Sequence, residues 1–484
     1  MKILLINPFY TSNCSTRWYP PEPLGLLYLR ESIRAIYGSK VTVKILDAQT
    51  EGGEEIKRTP SGYRNGMIDG EILDFLDSYK PDIVGITNNY TFGVKDAVEI
   101  AKLVKHFGNP VVILGGANAT MDHERLIKLP WFDYVARGEG EDLFVEFVKG
   151  FIDGGVEDIL GLTTKNKINP PRTCLVDLSK LPIPRRDEIP FDLYSKYSKY
   201  PMCPKQRPTA TISSSRGCPF RCTFCSTQAV WGNNWRGMSV ERMLKEVSYL
   251  HSLRVREVYF YDDQLLRDKL RIEEFCLKSI EYFSDMTYST PGTSPMLMSE
   301  ELLELMSLAG FYRLCFSVDV GTVKVAKLVK KPVKLEKVRG LVKKANTLGM
   351  WTWGTFVMGF PQETKEDIKE MITYASSLGF DFVNFFMLQL HKGSEIYNNL
   401  IRSGVIKDDL HGSNSMDYPL CPSEHLSQQE LIALHKEAEK TFYKQVARRV
   451  FSSSFIKELW PKINTWTKFK YGVKLLWNLI KMKI

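Results

Sequence analysis

Hydrophobic residues in the first 150 positions fall into short continuous runs, separated by stretches with helical spacing. Residues 2–6, 41–46, 82–87, 111–114 and 134–136 are rich in β-branched side chains, as parallel strands buried on both faces require. Between them, residues 24–36, 68–76, 94–106 and 142–148 place apolar side chains on one helical face. The pattern predicts an α/β, doubly wound, Rossmann-like sheet, with ligands beyond the carboxyl ends of its strands at the switch point. The loops at those ends begin at Asn7, Asp47, Thr87, Gly115 and Arg137. Paired glycines at 115 and 116 permit close backbone approach, either to a flat or phosphate-bearing ligand or within a tight turn.

Residues 151–205 lose the periodicity. Prolines at 170, 171, 182 and 184 predict an extended, semi-rigid linker. From 209 the alternation resumes, with strands at 209–215, 257–261, 286–289, 312–318, 351–358 and 382–388. Helices are expected near 239–252, 268–283, 299–309, 334–348 and 364–378. Six strand–helix units predict a partial parallel (β/α)6 barrel with its site at the carboxyl-terminal mouth. The domains expected are therefore 1–150, a linker at 151–205, a barrel at 206–400 and a helical region at 401–484.

The loop directly after the 209–215 strand carries Cys218, Cys222 and Cys225, spaced Cys-x3-Cys-x2-Cys. Zinc would want a fourth Cys or His and more often uses Cys-x2-Cys pairs, and the nearest candidates, Cys203 and His251, flank the loop on opposite sides. Three clustered thiolates suit three irons of a four-iron, four-sulfur cluster and leave the fourth iron open to an outside ligand. The spacing favours the cluster over a zinc knuckle. Cys14, Cys174, Cys203, Cys276, Cys315 and Cys421 are dispersed and read as packed thiols. An odd total of nine cysteines indicates a reducing, cytoplasmic setting. The apolar run at the start is too short for a signal sequence, and none reaches the roughly 18 residues of a spanning helix.

The stretches PPEPLGLLYL (20–29), KPDIVGIT (80–87), VVILGGANAT (111–120) and DYVARGEGE (133–141), with the cysteine triplet downstream, resemble the cobalamin-dependent radical S-adenosylmethionine (SAM) enzymes. The resemblance covers roughly residues 1–400. It implies an N-terminal cobalamin-binding domain contacting its ligand through Asp47, Gln49, Thr87, Asn88, Gly115, Gly116, Gly138 and Glu139. Classical cobalamin loops read Asp-x-His, with the imidazole ligating cobalt from below. Here the stretch is Asp47-Ala48-Gln49, which would leave water or nothing on that face and favour homolytic methyl transfer. A vestigial domain that binds no cobalamin is the alternative.

The same resemblance assigns Cys218, Cys222 and Cys225 to a [4Fe-4S] cluster whose open iron chelates SAM. Phe224 would pack near the adenine, or simply be a core ring beside the cluster. Asp262 and Asp263 would accept from the SAM amino group, or cap the following turn. Ser317 and Asp319 would lie near the methionyl or ribose group, with Asp319 where Glu is more usual. Gly359 would shape the backbone near adenine, and Glu363 is expected to open the next helix. Reductive cleavage of SAM would release a 5′-deoxyadenosyl radical able to abstract hydrogen from an unactivated carbon. Carbon methylation leads, with oxidative cyclisation or rearrangement, and a non-enzymatic cobalamin-binding protein, as alternatives. An electron donor such as flavodoxin or ferredoxin is implied.

The last stretch changes where the charge sits. From Phe455 onward, apolar residues recur at helical spacing, with Pro461 expected in a first turn. Seven lysines against Glu458 give this segment +6 of the chain's +9. One reading is a peripheral helix on the inner membrane face serving a lipid-like substrate. The other is a helix packed on the barrel. Basic residues do not otherwise interleave with stacking aromatics, which speaks against nucleic acid.

Overall fold

The computed structural model describes residues 1–484 apart from 13–20, 54, 61, 174, 198–203, 409–418, 451–452 and 484. Cys14, Cys174 and Cys203 therefore lie outside the described residues. The chain forms two compact units: residues 1–199 with 229–232 and 408–414, and residues 200–228 with 233–407 and 415–484.

The first unit carries β1 (Lys2–Asn7), β2 (Tyr10–Ser12), β3 (Thr42–Asp47), β4 (Ile56–Thr59), β5 (Gly62–Asn65), β6 (Ile83–Thr87), β7 (Val111–Gly115), β8 (Tyr134–Ala136) and β9 (Leu162–Thr164). Its main sheet has the order β3-β1-β6-β7-β8-β9, parallel except for β9. The order reverses between β1 and β6, which is where open α/β sheets bind ligands. Leu4, Ile6, Val84, Ile86 and Leu114 pack one face against the helices Asp69–Tyr79 and Val94–Gly108. Ile3, Leu5, Val43, Ile83 and Ile113 pack the other face against Leu24–Tyr37 and Gly140–Asp153. Burial on both faces explains the unbroken apolar runs.

Two features depart from the expected pattern. A three-stranded antiparallel sheet, β2-β5-β4, is inserted among the loops after β1 and β3. Residues 151–199, expected as a linker, belong to the first unit. Their prolines do impose extended chain, but that chain is packed: Ile189 and Tyr194 cluster with Leu27. The buried Arg30, paired with Glu31 at 2.8 Å, also donates from Nη2 to the Arg185 carbonyl at 2.6 Å, so the strap adds to the satisfaction of a buried cation.

In the second unit β10 (Thr209–Ile212), β13 (Glu257–Phe260), β14 (Thr287–Thr293), β15 (Phe311–Asp319), β16 (Trp351–Met358) and β17 (Phe382–Met387) form one parallel sheet in sequence order. β11 (Ser215–Arg216) pairs with β12 (Arg236–Gly237) as a small clasp. Ser239, Asp268, Ser299 and Thr364 cap crossover helices by accepting from the third backbone N–H beyond them. Phe260, Tyr288 and Phe311 from the sheet and Phe275 from a helix form an aromatic cluster of edge-on, tilted and stacked pairs.

The C-terminal region holds three helices: Gln428–Val450, Ser453–Ile463 and Trp466–Lys483. Leu431, Leu434, Ala438 and Phe442 of the first are buried, one helical stripe against the unit. Pro461 lies in the last turn of the second helix, not in a first turn. Leu459, Ile463, Tyr471 and Leu475 pack on Tyr312, Trp351, Trp353 and Phe382, near the amino ends of β15 to β17. Lys462 is buried there, donating to Asn346 Oδ1 at 2.7 Å and paired with Asp381. The packed reading of this helix pair therefore holds for its inner face. No helix among the described residues is long and apolar enough to cross a membrane.

Lys462→Ala leaves the Asp381 carboxylate buried without its cation, and such losses cost about 3–5 kcal/mol. Lys470→Ala, whose ammonium lies over the exposed Trp466 ring, should stay within about 0.5 kcal/mol of the parent. Paired denaturation curves of the two variants check the difference.

Candidate active site

The cysteine loop has no regular structure of its own, so its backbone groups need partners elsewhere. Thr223, between two of the cysteines, supplies both ends of the solution. Its N–H donates to the Val329 carbonyl at 3.0 Å, and its carbonyl accepts from Ile396 N at 2.9 Å. Cys225 N closes a turn on the Cys222 carbonyl at 3.1 Å, and the Cys225 thiol donates to Thr227 Oγ1 at 3.1 Å. All three cysteines are partly buried and free of disulfides. Burial pushes Cys218 up to about 11 and Cys222 up to about 12, and both also feel Cys225. Among the described residues no three His, Cys, Asp or Glu side chains are grouped as a single ion would need. A cuboidal cluster differs from a single ion, because each cysteine binds a separate iron.

Carboxylates at neighbouring strand ends fix the approach to this loop. Asp262, fully buried after β13, accepts from Ser214 N at 3.1 Å and Ser214 Oγ at 2.8 Å, and also from Ser215 Oγ. Asp263 accepts from Gly217 N at 2.9 Å through Oδ2, leaving Oδ1 without a protein donor among the described residues. Burial holds the Asp263 carboxyl up at about 6. Asp319 ends β15 at φ +63°, a left-handed conformation at a register shift against β16. It pairs with the buried Lys331 and accepts from Thr355 Oγ1 at 2.9 Å. Ser317 lies two residues earlier on the same strand, and a Cβ on Gly292 would stand 2.2 Å from its Oγ.

The turn after β16 is held by a residue expected only to open a helix. Glu363 Oε2 accepts from Gly359 N at 2.7 Å and Phe360 N at 3.2 Å, while Thr364 and Asp367 form the helix cap. Burial outweighs those bonds and raises the Glu363 carboxyl to about 7. Phe360 in turn packs on Phe224 with ring centroids 5.5 Å apart. Cys218, Cys222, Cys225, Phe224, Asp262, Asp263, Asp319 and Gly359 thus belong to one connected network at the carboxyl ends of β10, β13, β15 and β16.

In the first unit the loop residues divide into two groups. Asp47 is fully buried and accepts from Asn7 Nδ2 at 2.9 Å, Tyr194 OH at 2.7 Å and Thr50 N at 3.2 Å. Asn88 is buried, taking Asn118 Nδ2 at 2.6 Å and donating to the Tyr90 carbonyl at 3.0 Å. Glu139 is buried and accepts from Val176 N at 2.9 Å. Gly116 has φ +111°, and a Cβ there would stand 2.7 Å from the Asn88 carbonyl oxygen. The close approach it allows is between two loops. Gln49, Thr87 and Gly115 are partly exposed and Gly138 is exposed, with open space around any Cβ there.

Residues 12–148 match the B12 binding domain family, and residues 212–375 match the radical SAM superfamily. An uncharacterized methyltransferase of Pyrococcus horikoshii is 28% identical over 92% of each chain. Cytidylyl-2-hydroxyethylphosphonate methyltransferase of Streptomyces wedmorensis is 30% identical over 84% of this chain and 82% of its own. This chain belongs to the cobalamin-dependent radical SAM enzymes. Anaerobic magnesium-protoporphyrin IX monomethyl ester cyclase of Rubrivivax gelatinosus is also related, 24% identical over 83% of this chain and 70% of its own. The fold agrees with that of the radical SAM methyltransferase TsrM from Kitasatospora setae, solved with cobalamin and a [4Fe-4S] cluster. The TM-score is 0.72 at 13% identity, over the whole of both chains.

The residues present fit the family's cofactors. Three thiols within electrostatic reach of one another are a donor set for three irons. In the first unit both amide atoms of Asn65 are buried without a partner among the described residues. Asn65 adjoins Gly66, whose backbone lies against Ala48 and Gln49, so a ligand over that loop is in place to satisfy the amide. Neither Asn65 nor Lys331 was singled out in the sequence. One lies on an unexpected strand and the other is half of a Lys-Lys pair.

Glu363 binds its proton more tightly in the folded chain than in the unfolded one. Folding stability contributed by its protonated form is therefore complete below about pH 4.5 and declines as pH rises toward about 7. Glu363→Gln removes this dependence. Relative to the variant, the parent should lose stability between pH 5 and 7.5, on the order of 3 kcal/mol at most, in denaturant midpoints measured at both values.

Proposed function

We propose that this chain methylates an unactivated carbon of a small hydrophobic or natural-product substrate. The observation that carries the reading is the cysteine loop, fixed at the carboxyl end of β10 by Thr223, in a chain that carries Gln49 where classical cobalamin loops have His. When bound, the cofactors supply one-electron cleavage of SAM and a transferable methyl group. The reaction needs a one-electron donor, for which flavodoxin or ferredoxin are the natural classes.

The chain's own part is placement. Phe224 and Phe360 offer a paired aromatic wall for the adenine, and the open oxygen of Asp263 accepts from the SAM amino group. Ser317 and Gly359 border the same ligand. Asp262 acts indirectly, because its oxygens hold the Ser214–Ser215 turn that feeds into Cys218. For cobalamin, Gln49, Thr87, Gly115 and Gly138 are contact residues, while Asp47, Asn88, Gly116 and Glu139 set the loop shapes. The two functional regions are residues 1–150 and 206–400, joined by 151–205, of which 151–199 fall in the first unit.

Anaerobically reconstituted protein with SAM and a one-electron donor should release 5′-deoxyadenosine, and Cys222→Ala should reduce it to background. Product from an extract containing the substrate should gain the mass of one methyl group. Loss of hydrogens instead would favour the cyclase reading, which the Rubrivivax relative keeps as the second one. Deoxyadenosine formation by Cys222→Ala would falsify the site assignment.

A peripheral membrane role is the finer reading of the C-terminal helices, and with it a lipid-like substrate and a place at the inner membrane face. Trp460, Trp466 and Phe469 stay exposed at 63%, 69% and 44%, and Lys470 lies 5.1 Å over the Trp466 ring. Exposed aromatic rings with a lysine over one of them suit an anionic surface. Truncation before this segment would remove Tyr471 and Leu475 from the core, so substitution is the cleaner probe. Serine at positions 460, 466 and 469 should cut co-sedimentation with anionic vesicles several-fold. Unchanged sedimentation removes the membrane reading.

A further inference from the structure

Lys331 is a buried cation beside the cysteine loop, with its side chain 7% exposed. Its placement is forced by the backbone. The helix Val323–Leu328 ends at Val329, whose carbonyl takes the Thr223 N–H, and Lys330 follows at φ +54°. That turn sends the two lysines in different directions. Lys330 Nζ reaches Glu395 at 2.7 Å on the surface, while Lys331 turns inward to Asp319. The segment that carries Lys331 is therefore hydrogen-bonded directly to the loop between Cys222 and Cys225.

We propose that Lys331 sets the reduction potential of the cluster held by Cys218, Cys222 and Cys225, its ammonium acting as a fixed positive charge that favours the reduced state. The inference rests on the cluster assignment above. Reduction adds one electron from an external one-electron donor and makes the thiolate-ligated cluster one unit more negative, with no bond made or broken. A nearby cation stabilises the more negative state, most strongly where burial excludes water. The sign depends on whether the ammonium or its Asp319 partner dominates at the sulfurs. At Cys222 the effect of Lys331 exceeds that of Asp319, and at Cys218 Lys331 acts while Asp319 is not among the main influences. In this proposal the ammonium, rather than the Asp319 carboxylate, is the end of the pair that acts on the sulfurs. Asp319 and Thr355 are positioning residues that hold it there.

The test is a redox titration of the full chain followed by the electron paramagnetic resonance signal of the reduced cluster, without SAM, so that no ligand of the open iron contributes. Lys331→Met should disfavour reduction about tenfold, a shift of about 59 mV to lower potential for a one-electron couple. Lys331→Arg keeps the charge and should stay near the parent, while Asp319→Asn should move the potential upward. Iron content and signal shape are read on every sample. Absence of any cluster in the parent would defeat the cluster assignment, and with it this proposal. A normally loaded Lys331→Met at the parental potential would defeat this proposal alone. A downward shift in both Lys331→Met and Asp319→Asn would show a structural effect and overturn it too. If Lys331→Met fails to load, Asp319→Asn still decides the sign: an upward shift supports the proposal, and an unchanged or lowered potential overturns it.

Discussion

A loop that must present three thiols to one cofactor cannot satisfy its own backbone, because the turns that aim the sulfurs leave N–H and carbonyl groups pointing outward. Here the central residue, Thr223, is bonded on one side to the end of the helix after β15 and on the other to the start of the helix after β17. Two distant parts of the barrel thus share one loop residue. Anything that shifts either helix end shifts the sulfurs. The constraint also delivers Lys331, since the carbonyl that takes the Thr223 N–H lies two residues before it.

Buried carboxylates do the same work at the other loops. Asp47 gathers the loop after β3, Asp262 the turn before Cys218, and Glu363 the turn after β16. In each case a carboxyl taken out of water is offset by donors that include backbone N–H groups of the loop it holds. Burial raises all three carboxyls above their ordinary values, so these donors do not fully restore the lost hydration. Precise loop geometry at parallel strand ends is thereby tied to a stability that varies with pH.

The sheets were legible because burial on both faces leaves continuous apolar runs, and all eleven strands expected for the two sheets are present. What the sequence hid is long-range. Residues 10–12, 56–59 and 62–65 are too short and too polar to announce a sheet, yet they pair with one another. The proline-rich strap looked like free chain because its partners are remote: the Arg185 carbonyl takes a buried arginine 155 residues away, Tyr194 OH bonds Asp47 and Ile189 packs near Leu27. At the site, the cysteines were evident from spacing alone. Whether Asp47 or Asn88 faces a ligand or a neighbouring loop depends on partners such as Tyr194 and Asn118, which no local pattern reveals.

The C-terminal segment shows why composition alone misplaces charge. Its lysines read as one solvated face, but Lys462 is buried and spent on Asp381 and Asn346. Lys474 donates to the Pro204 carbonyl at 3.2 Å. The apolar residues divide likewise, with Tyr471 and Leu475 in the core and Trp460, Trp466 and Phe469 outside. The packed face closes the sheet near the amino ends of β15 to β17, the end opposite the cysteine loop. Any surface contact made through the exposed tryptophans would therefore lie on helices packed at the base of the sheet, away from the cysteine loop. Attachment and substrate delivery become separate questions, and an affinity for vesicles would by itself say nothing of a lipid at the radical's target.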